Sequence, residues 1–174
     1  MSNGLVIRWV DEDGIAAELG LLPGDVLLSI NNQPIEDVLD YRYRITEEDI
    51  LLEAMVCGEL CSFEIEKECY EDLGVDFESD VVKMQTCCNN CVFCFVTQMP
   101  KGMRRSLYIK DDDYRMSFLN GNYITLTNIT ERDIQRIIDQ KLSPLYISVH
   151  TTNPELRARM LGRKMPFDVL PLLQ

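Results

Sequence analysis

Four of the seven cysteines of this 174-residue chain fall within eight residues, in the segment 86–95. Thiolates at such short spacing are typical of iron–sulfur ligation, in which each cysteine binds one iron of a compact cluster. Two triads fit this chemistry, since either Cys87 or Cys88 can combine with Cys91 and Cys94. No cysteine follows Cys94, so a four-iron cube held by either triad would keep one iron open to another ligand.

Zinc is the main alternative for these thiols. Structural zinc is tetrahedral and is usually held by two ligand pairs that a loop separates. Here all the thiols lie in one short run, and His150, the only histidine, is distant in sequence. A site built from all four thiols would also place the adjacent Cys87 and Cys88 on one metal, which is sterically awkward. The spacing therefore favours an iron–sulfur cluster but leaves the choice of triad open.

The elements that must position these cysteines alternate between strands and helices. Residues 81–86, 114–119 and 145–150 are rich in strand-forming side chains, and the first of these segments leads directly into the cysteines. Thr130 begins a helix between the second and third strands, with an arrangement close to a capping box. Strand, helix and strand in this order predict a parallel sheet of the βα type.

A run of acidic residues precedes the predicted second strand. Residues 110–113 read Lys-Asp-Asp-Asp, and three adjacent carboxylates cannot all face one ion. We therefore interpret this run as a solvated turn and not as a metal site. Ligands of parallel sheets bind at the carboxyl ends of the strands, where Cys87, Asn122 and His150 are expected to converge.

Charge divides the chain into two unequal parts. Residues 1–80 contain 21 acidic and 4 basic residues, whereas residues 81–174 contain 8 and 13, which gives a net charge of −12 for the chain. Such an asymmetry predicts two units with different roles. The acidic part is not expected to bind nucleic acid, because contacts to phosphates need cations. Residues 71–80 are acidic and are interpreted as a linker.

The first part has a regular order of short elements. A strand at 4–10, a short helix at 15–19, a buried strand at 26–30 and a helix at 36–44 are followed by two further strands, at 50–56 and 62–66. The segments Gly-Leu-Leu-Pro-Gly-Asp-Val-Leu at 20–27 and Ser-Ile-Asn-Asn-Gln-Pro-Ile at 29–35 resemble the core of a bacterial PDZ domain. This resemblance implies a groove beside a strand that captures a peptide partner.

The cysteine segment carries a second resemblance. Cys87-x-x-x-Cys91-x-x-Cys94, with the aromatic Phe93 before the last cysteine, resembles the signature of the radical S-adenosylmethionine (radical SAM) enzymes. The resemblance implies that these three cysteines hold a [4Fe-4S] cluster whose open iron chelates S-adenosylmethionine, while Cys88 is a bystander. It also implies a one-electron donor, such as a flavodoxin or a ferredoxin, and reductive cleavage of the cofactor to a 5′-deoxyadenosyl radical.

The same resemblance implies contacts with S-adenosylmethionine at the ends of two strands. In that family a glycine-containing loop after the second strand binds the amino group of the cofactor, and residues 120–126 occupy this place. The segment Ser-Val-His-Thr-Thr at 148–152 is similar to the end of the third strand. The cofactor-binding residues expected on this basis are Asn120, Gly121, Asn122, Tyr123, Ser148 and His150.

The chain as a whole is similar to a PDZ-bearing branch of the radical SAM proteins. The predicted fold is an α+β PDZ-like domain at 1–70, an acidic linker at 71–80, and at 81–174 the N-terminal part of a radical SAM core, an incomplete α/β barrel of the TIM type. We expect a cytoplasmic protein without a membrane span, and an N-terminal fragment that is inactive as an enzyme in isolation. The alternative is a non-catalytic metal-binding or docking module that uses the PDZ-like part.

Overall fold

A computed structural model of the protein describes residues 4–80 and 83–174 and divides the chain into two compact units, Met1–Lys83 and Met84–Gln174. The first unit comprises β1 (Leu5–Val10), α1 (Ile15–Glu18), β2 (Val26–Ile30), β3 (Gln33–Pro34), α2 (Val38–Arg44), β4 (Asp49–Val56), β5 (Glu59–Glu66) and β6 (Val75–Phe77). The second unit comprises α3 (Tyr114–Asn120), β7 (Tyr123–Ile124), α4 (Glu131–Asp139), β8 (Tyr146–Ile147) and α5 (Pro154–Met160), with short 3-10 helices at Arg105–Tyr108 and Leu170–Leu172.

A six-stranded antiparallel sheet forms the first unit. Its order is β5-β4-β2-β1-β6, and β3 pairs with β2. Alternate residues of the central strands point into the core, where Ile7, Leu27 and Leu52 are fully buried. Helix α2 contributes Leu39 and Tyr41 to the same core. All the strands and both helices predicted for residues 4–66 are present in the structure.

Local turn chemistry explains why these predictions are confirmed. Asn31 and Asn32 lie between β2 and β3 with φ angles of 51° and 60°, a left-handed conformation that asparagine tolerates. Asp25 closes the turn before β2 by accepting a hydrogen bond from the Leu22 N–H at 2.8 Å. Asp37 caps α2 with its side chain. Each of these signals depends on neighbours in sequence, and for that reason they can be predicted from the sequence.

The acidic segment 71–80, interpreted above as a linker, contains a strand of the sheet. Within it β6 pairs with β1 in an antiparallel register that brings Phe77 opposite Ile7 and Val75 opposite Val10. The acidic residues around Val75 and Phe77 concealed the two-residue alternation of this strand. The structural division falls between Lys83 and Met84, while the domain limits drawn from the sequence stay a prediction.

One parallel strand pair lies in the second unit. Strands β7 and β8 pair with Tyr123 opposite Tyr146 and Ile124 opposite Ile147, and α4 connects them. Thr130 begins α4 with a full capping box, in which Asp133 is the second partner. The predicted helix and the predicted third strand are therefore present, and the strand that pairs with the third one in parallel lies at Tyr123–Ile124. Among the described residues the parallel sheet consists of these two strands, so the wider barrel is not established.

The predicted second strand at 114–119 is wrong, because these residues form helix α3. Asp113 caps the first turn by accepting a hydrogen bond from the Arg115 N–H, and Gly121 ends the helix with a left-handed φ of 74°. Tyrosine and phenylalanine in this segment favour a strand only weakly. The two caps outweigh that preference, and the strand begins at Tyr123.

One further prediction of secondary structure differs from the observed chain. In the predicted strand at 81–86, residues 81–82 lie outside the described residues, and Thr86 forms an isolated bridge with Asp111. Near the end of the chain Leu170–Leu172 forms a 3-10 turn, where Pro171 limits a longer helix. Within the described ranges, no helix has the length and apolar character needed to cross a membrane.

Candidate functional site

Backbone hydrogen bonds attach the cysteine loop, defined here as residues 87–94, to two other segments of the second unit. The Cys87 N–H donates to the Lys110 carbonyl at 2.8 Å. The Asn90 N–H donates to the Leu161 carbonyl and the Val92 N–H to the Met160 carbonyl, both at 3.0 Å. The loop is therefore held at one side by the residues before α3 and at the other by the end of α5.

Gly162 permits the close contact between α5 and the cysteine loop. Its φ is +65°, and a methyl group added to its Cα would lie 2.3 Å from the Asn90 carbonyl oxygen. A side chain at this position is therefore excluded both by the backbone conformation and by the neighbouring backbone. The chain needs glycine here so that the cysteine loop can lie against the helix end.

Asn89 connects the cysteine loop to the carboxyl end of β7. It is 3% exposed, and its side-chain amide donates to the hydroxyls of Thr125 at 3.0 Å and Thr127 at 2.7 Å. Its side-chain oxygen accepts a hydrogen bond from Arg163 at 3.2 Å. Its backbone carbonyl accepts one from the Lys110 ammonium at 2.6 Å. Buried polar groups that are satisfied in this way fix one conformation of a loop.

Three thiols of the loop influence one another electrostatically. Partial burial raises the pKa of Cys91, and the nearby thiols of Cys87 and Cys94 raise it further. Burial also raises the pKa of Cys87, although hydrogen bonding to Asn89 offsets part of this effect. Cys88 is exposed, and its thiol lies 3.7 Å from the Thr86 carbonyl. Cys87, Cys91 and Cys94 are half-buried whereas Cys88 is exposed, and the role of the first three as metal ligands stays a prediction.

Cations and hydrogen-bond donors favour the thiolate form of these cysteines. Burial raises the pKa of Cys94, but hydrogen bonds from Thr97 and Val96 outweigh it, so the pKa lies below its usual value. The Lys110 ammonium lowers the pKa of Cys87, Cys91 and Cys94 alike. Thiolate is the form that binds metals. Lys110 thus offsets part of the effect of burial, which keeps the pKa of Cys87 and Cys91 above the ordinary value.

The acidic run at 110–113 was predicted to be a solvated turn, and this prediction is wrong because Asp112 and Asp113 are buried. Asp112 is 2% exposed and accepts hydrogen bonds from the backbone N–H and the hydroxyl of Thr125, at 2.5 and 2.6 Å. Its second oxygen lies 3.4 Å from the Thr127 hydroxyl. Asp112 therefore holds the same two threonines that contact Asn89, and it fixes the carboxyl end of β7.

The neighbouring carboxylates have separate structural partners. Asp113 is fully buried and forms a bidentate ion pair with Arg115 while accepting a hydrogen bond from the Gln85 N–H at 2.7 Å. Burial raises the pKa of Asp113, but the bonds from Arg115 and Gln85 outweigh it and the pKa falls below its ordinary value. Asp111 accepts a hydrogen bond from Asn122 at 2.7 Å. Adjacent carboxylates can be buried because each faces a different set of donors.

Arg157 brings a buried cation to the same region. It is fully buried, and its guanidinium donates to the carbonyls of Val149 and Thr125 at 2.9 Å and of Ser148 at 3.0 Å. One guanidinium nitrogen, Nη1, is buried without a hydrogen-bond partner among the described residues. Burial lowers the pKa of Arg157, while Asp112 and Cys91 act in the opposite direction. Arg157 therefore joins the ends of both parallel strands and carries an unused donor.

His150 contacts the cysteine loop directly. Its ring lies with its centroid 4.7 Å from that of Phe93, at an interplanar angle of 55°. Its φ of 62° is unusual for a residue other than glycine, and Leu126, after β7, has a similar φ of 59°. Burial and the neighbouring Arg157 lower the pKa of His150, so the neutral ring is favoured. Ser148 donates its backbone N–H to the Ile124 carbonyl at 2.7 Å.

The other four predicted cofactor-binding residues lie before β7 or at its first residue. They are therefore at the amino end of this strand, opposite to the carboxyl end where the cysteine loop lies. Asn120 ends α3, Gly121 and Asn122 form the connection, and Tyr123 begins the strand. Tyr123 is exposed, and its ring lies 5.8 Å from that of Tyr146. The structure therefore places Ser148 and His150 at the carboxyl ends and these four residues at the amino ends. Their contact with a cofactor stays a prediction.

No group of three or more histidine, cysteine or acidic side chains within residues 4–80 and 83–174 is arranged to hold one metal ion. The three thiols of the loop thus do not meet at a single point. An iron–sulfur cube has a different requirement, because each of its irons takes one thiolate and the ligands surround the cluster. The binding of such a cluster by these three thiols therefore stays a prediction.

Comparison with known families identifies the second unit. Residues 67–174, more than half of the chain, match the model of a radical SAM-like domain. The chain belongs to the radical SAM-like family. Residues 6–53 match the model of a PDZ domain, so the first unit of this radical SAM-like protein has a PDZ-like fold. The predicted combination of the two domains is therefore confirmed.

Two solved PDZ domains are similar to part of the chain. The PDZ domain of the SdrC-like protein from Listeria innocua shares 19% identity over 44% of this chain and 96% of its own, with a TM-score of 0.37. The corresponding domain from Listeria monocytogenes shares 16% identity over 45% of this chain and 90% of its own, also with a TM-score of 0.37. The comparison with curated proteins found no match.

Sequence reasoning missed four residues of the site, namely Asn89, Asp112, Arg157 and Gly162. Gly162 follows helix α5, and a glycine after a helix is a recognisable end signal. The others gave no local signal, because Asp112 and Arg157 reach Thr125 across 13 and 32 residues of the chain and Asn89 reaches Arg163 across 74 residues. Only the fold brings these partners together.

Proposed function

We propose that this chain belongs to an S-adenosylmethionine-dependent radical enzyme in which Cys87, Cys91 and Cys94 hold a [4Fe-4S] cluster. The observation that carries the proposal is the position of the cysteine loop at the carboxyl ends of β7 and β8. Asn89 reaches Thr125 and Thr127 after the first strand, and Phe93 contacts His150 after the second. Parallel sheets bind their ligands at this edge.

The residues around the loop fit a cluster with an open iron. Lys110 lowers the pKa of all three thiols and offsets the negative charge that three thiolates would bring. Arg157 places a buried, unused hydrogen-bond donor in the electrostatic range of Cys91. When bound, such a cluster supplies one electron to the sulfonium of S-adenosylmethionine, which yields methionine and a 5′-deoxyadenosyl radical.

The chain's own residues then bind and orient the cofactor. Ser148 and His150 lie at the carboxyl ends of the strands, and the lowered pKa of His150 favours a neutral ring there. Arg157 carries a donor suited to a carboxylate. The hydroxyls of Thr125 and Thr127 are bound by Asn89 and Asp112, so these threonines position the strand end. Asn120, Gly121, Asn122 and Tyr123 stay candidates from the family resemblance. A flavodoxin or a ferredoxin is the proposed electron donor.

The alternative function is a metal-binding or docking module with zinc in place of the cluster. Anaerobic reconstitution with excess iron and sulfide, in the presence of equimolar zinc, separates the two functions. We expect a brown protein that contains about four irons per chain and little zinc after desalting. Elemental analysis provides the measurement. A colourless protein that retains zinc and no iron would refute the proposed cluster.

A further inference from the structure

The outer edge of β1 is covered by the chain's own segment 72–80. Without β6, β1 would be the edge strand of the first unit's sheet and would expose unpaired backbone groups. PDZ domains use such a strand edge to add an extended peptide to the sheet. Here the edge pairs with β6 in an antiparallel manner. The place that a peptide from another protein would need is therefore taken within the same chain.

Hydrogen bonds continue beyond the three residues of β6 in both directions. Four bonds of 2.8 to 3.0 Å connect the segment to β1, to the start of α1 and to the start of α2. They run from the Asp11 N–H to the Gly74 carbonyl, from the Ala16 N–H to the Leu73 carbonyl, from the Glu78 N–H to the Val6 carbonyl, and from the Val38 N–H to the Asp80 carbonyl. The whole segment is thus bound along its length.

Side chains of the segment fill the space between β1 and α2. Phe77 is 6% exposed, and its ring packs edge-on against Tyr41 of α2 with the ring centroids 4.9 Å apart. Leu73 is fully buried, and its backbone N–H donates to the Tyr41 hydroxyl at 3.4 Å. That hydroxyl donates in turn to Asp72 at 3.1 Å. Two apolar anchors and one tyrosine therefore bind the segment to the helix.

Charge supports the same contact. The first 80 residues carry only four basic side chains, and two of these, Arg8 and Arg42, act on Asp76 of the segment. Arg8 forms an ion pair with Asp76 and, by hydrogen bonding, lowers the pKa of its carboxyl group. Two of the four basic side chains of this acidic domain therefore interact favourably with the acidic segment 72–80.

The segment belongs to the region that the radical SAM-like model matches. That match begins at residue 67, whereas the structural division falls at Lys83, so residues 72–80 are part of the radical SAM-like match but fold with the PDZ-like unit. We propose that the β1 edge of the PDZ-like domain is a docking site in cis, whose partner is the segment that leads into the radical SAM-like region. While this segment is bound, the domain does not take up a peptide from another protein at this edge.

A labelled synthetic peptide with the sequence of residues 71–80 tests the proposal on the full chain. We expect the unmodified chain to leave the peptide unbound, because its own segment occupies the edge. A Leu73→Ser/Phe77→Ser double variant loses both apolar anchors and is expected to bind the peptide at least tenfold more tightly in fluorescence anisotropy. Leu60→Ala, at an exposed position on the opposite edge strand, serves as the control and should behave like the unmodified chain.

Either of two results would overturn the proposal. One is equal binding of the peptide by the unmodified chain and the double variant. The other is a double variant that is folded by circular dichroism and yet does not bind. If the double variant does not fold, hydrogen exchange in the unmodified chain decides. The amides of Asp11, Ala16 and Glu78 are expected to exchange at least tenfold more slowly than in a short unstructured peptide, and exchange at the unstructured rate would rule out the docked segment.

Discussion

Replacement of Gly162 by alanine is expected to displace the cysteine loop and to remove most of the iron that the reconstituted chain binds. The new methyl group would lie 2.3 Å from the Asn90 carbonyl oxygen, a backbone atom that can move only if the loop moves. The hydrogen bonds from Asn90 to Leu161 and from Val92 to Met160 would then break. The three cysteines depend on these bonds for their position relative to β7 and β8.

The expected loss of stability for Gly162→Ala has two sources. A left-handed φ in a residue other than glycine costs about 1–2 kcal/mol, and overpacking adds about 1–3 kcal/mol. Gly102→Ala is a matched control, because Gly102 has a φ of +87° but no atom within 4 Å of an added methyl group. The Gly102→Ala variant should lose only the stability that the left-handed φ costs, and it should keep its iron. Equal iron loss in both variants would show that backbone strain, and not the contact with the loop, is responsible.

The second large effect is expected for Asp112→Ala. This change leaves the backbone N–H of Thr125 and two threonine hydroxyls without their acceptor, and it removes a favourable charge from the surroundings of the buried Arg157. Each buried donor that is left unsatisfied costs about 1–3 kcal/mol. We therefore expect the second unit to unfold at a much lower denaturant concentration.

Two spectroscopic probes separate this effect from a general loss of stability. Trp9 is the only tryptophan and lies in the first unit, so its fluorescence reports unfolding there, while far-UV circular dichroism reports both units. The Asp112→Ala chain should lose part of its dichroism early and keep the tryptophan transition unchanged. Asp111→Ala is the control, since it removes one hydrogen bond from Asn122 and costs about 1 kcal/mol. If the Asp112→Ala chain is no less stable than the Asp111→Ala chain, Asp112 does not stabilise the second unit in the way described.

The first unit shows how much of a fold can be predicted from local signals. Its strands alternate in hydrophobicity, two of its turns contain asparagine or Pro-Gly at the required positions, and Asp37 caps α2. The predictions for residues 4–66 are confirmed for this reason. The strand at Val75–Phe77 was missed because its stability comes from pairing with β1 and from the contact of Phe77 with Tyr41, which are distant in sequence.

The second unit shows where such reasoning ends. Residues 114–119 were predicted as a strand from their aromatic content, but the caps at Asp113 and Gly121 decide in favour of a helix. Because of this error, the carboxyl end of the second strand was expected at residues 120–123, whereas it lies at residues 125–127. The expected cofactor contacts were misplaced for the same reason. The acidic run was read as solvated because the sequence does not show that each carboxylate meets its own donors.

The cysteine motif was predictable in a different way. Its spacing alone left two triads, and the family resemblance selected Cys87, Cys91 and Cys94. The structure adds the electrostatic contact of Cys91 with the other two thiols and the exposed position of Cys88. The motif does not predict what surrounds these thiols. Their neighbours are Lys110, the buried Arg157 and the carboxyl ends of two parallel strands.

Iron and sulfide analysis of single cysteine variants tests the central claim most directly. The unmodified chain and Cys88→Ala, each reconstituted anaerobically, are predicted to hold about four irons and four sulfides per chain. Cys87→Ala, Cys91→Ala and Cys94→Ala should each lose most of both. A Cys91→Ala chain with its full iron content, or a Cys88→Ala chain that loses as much iron as the other variants, would contradict the assignment of the cluster to Cys87, Cys91 and Cys94.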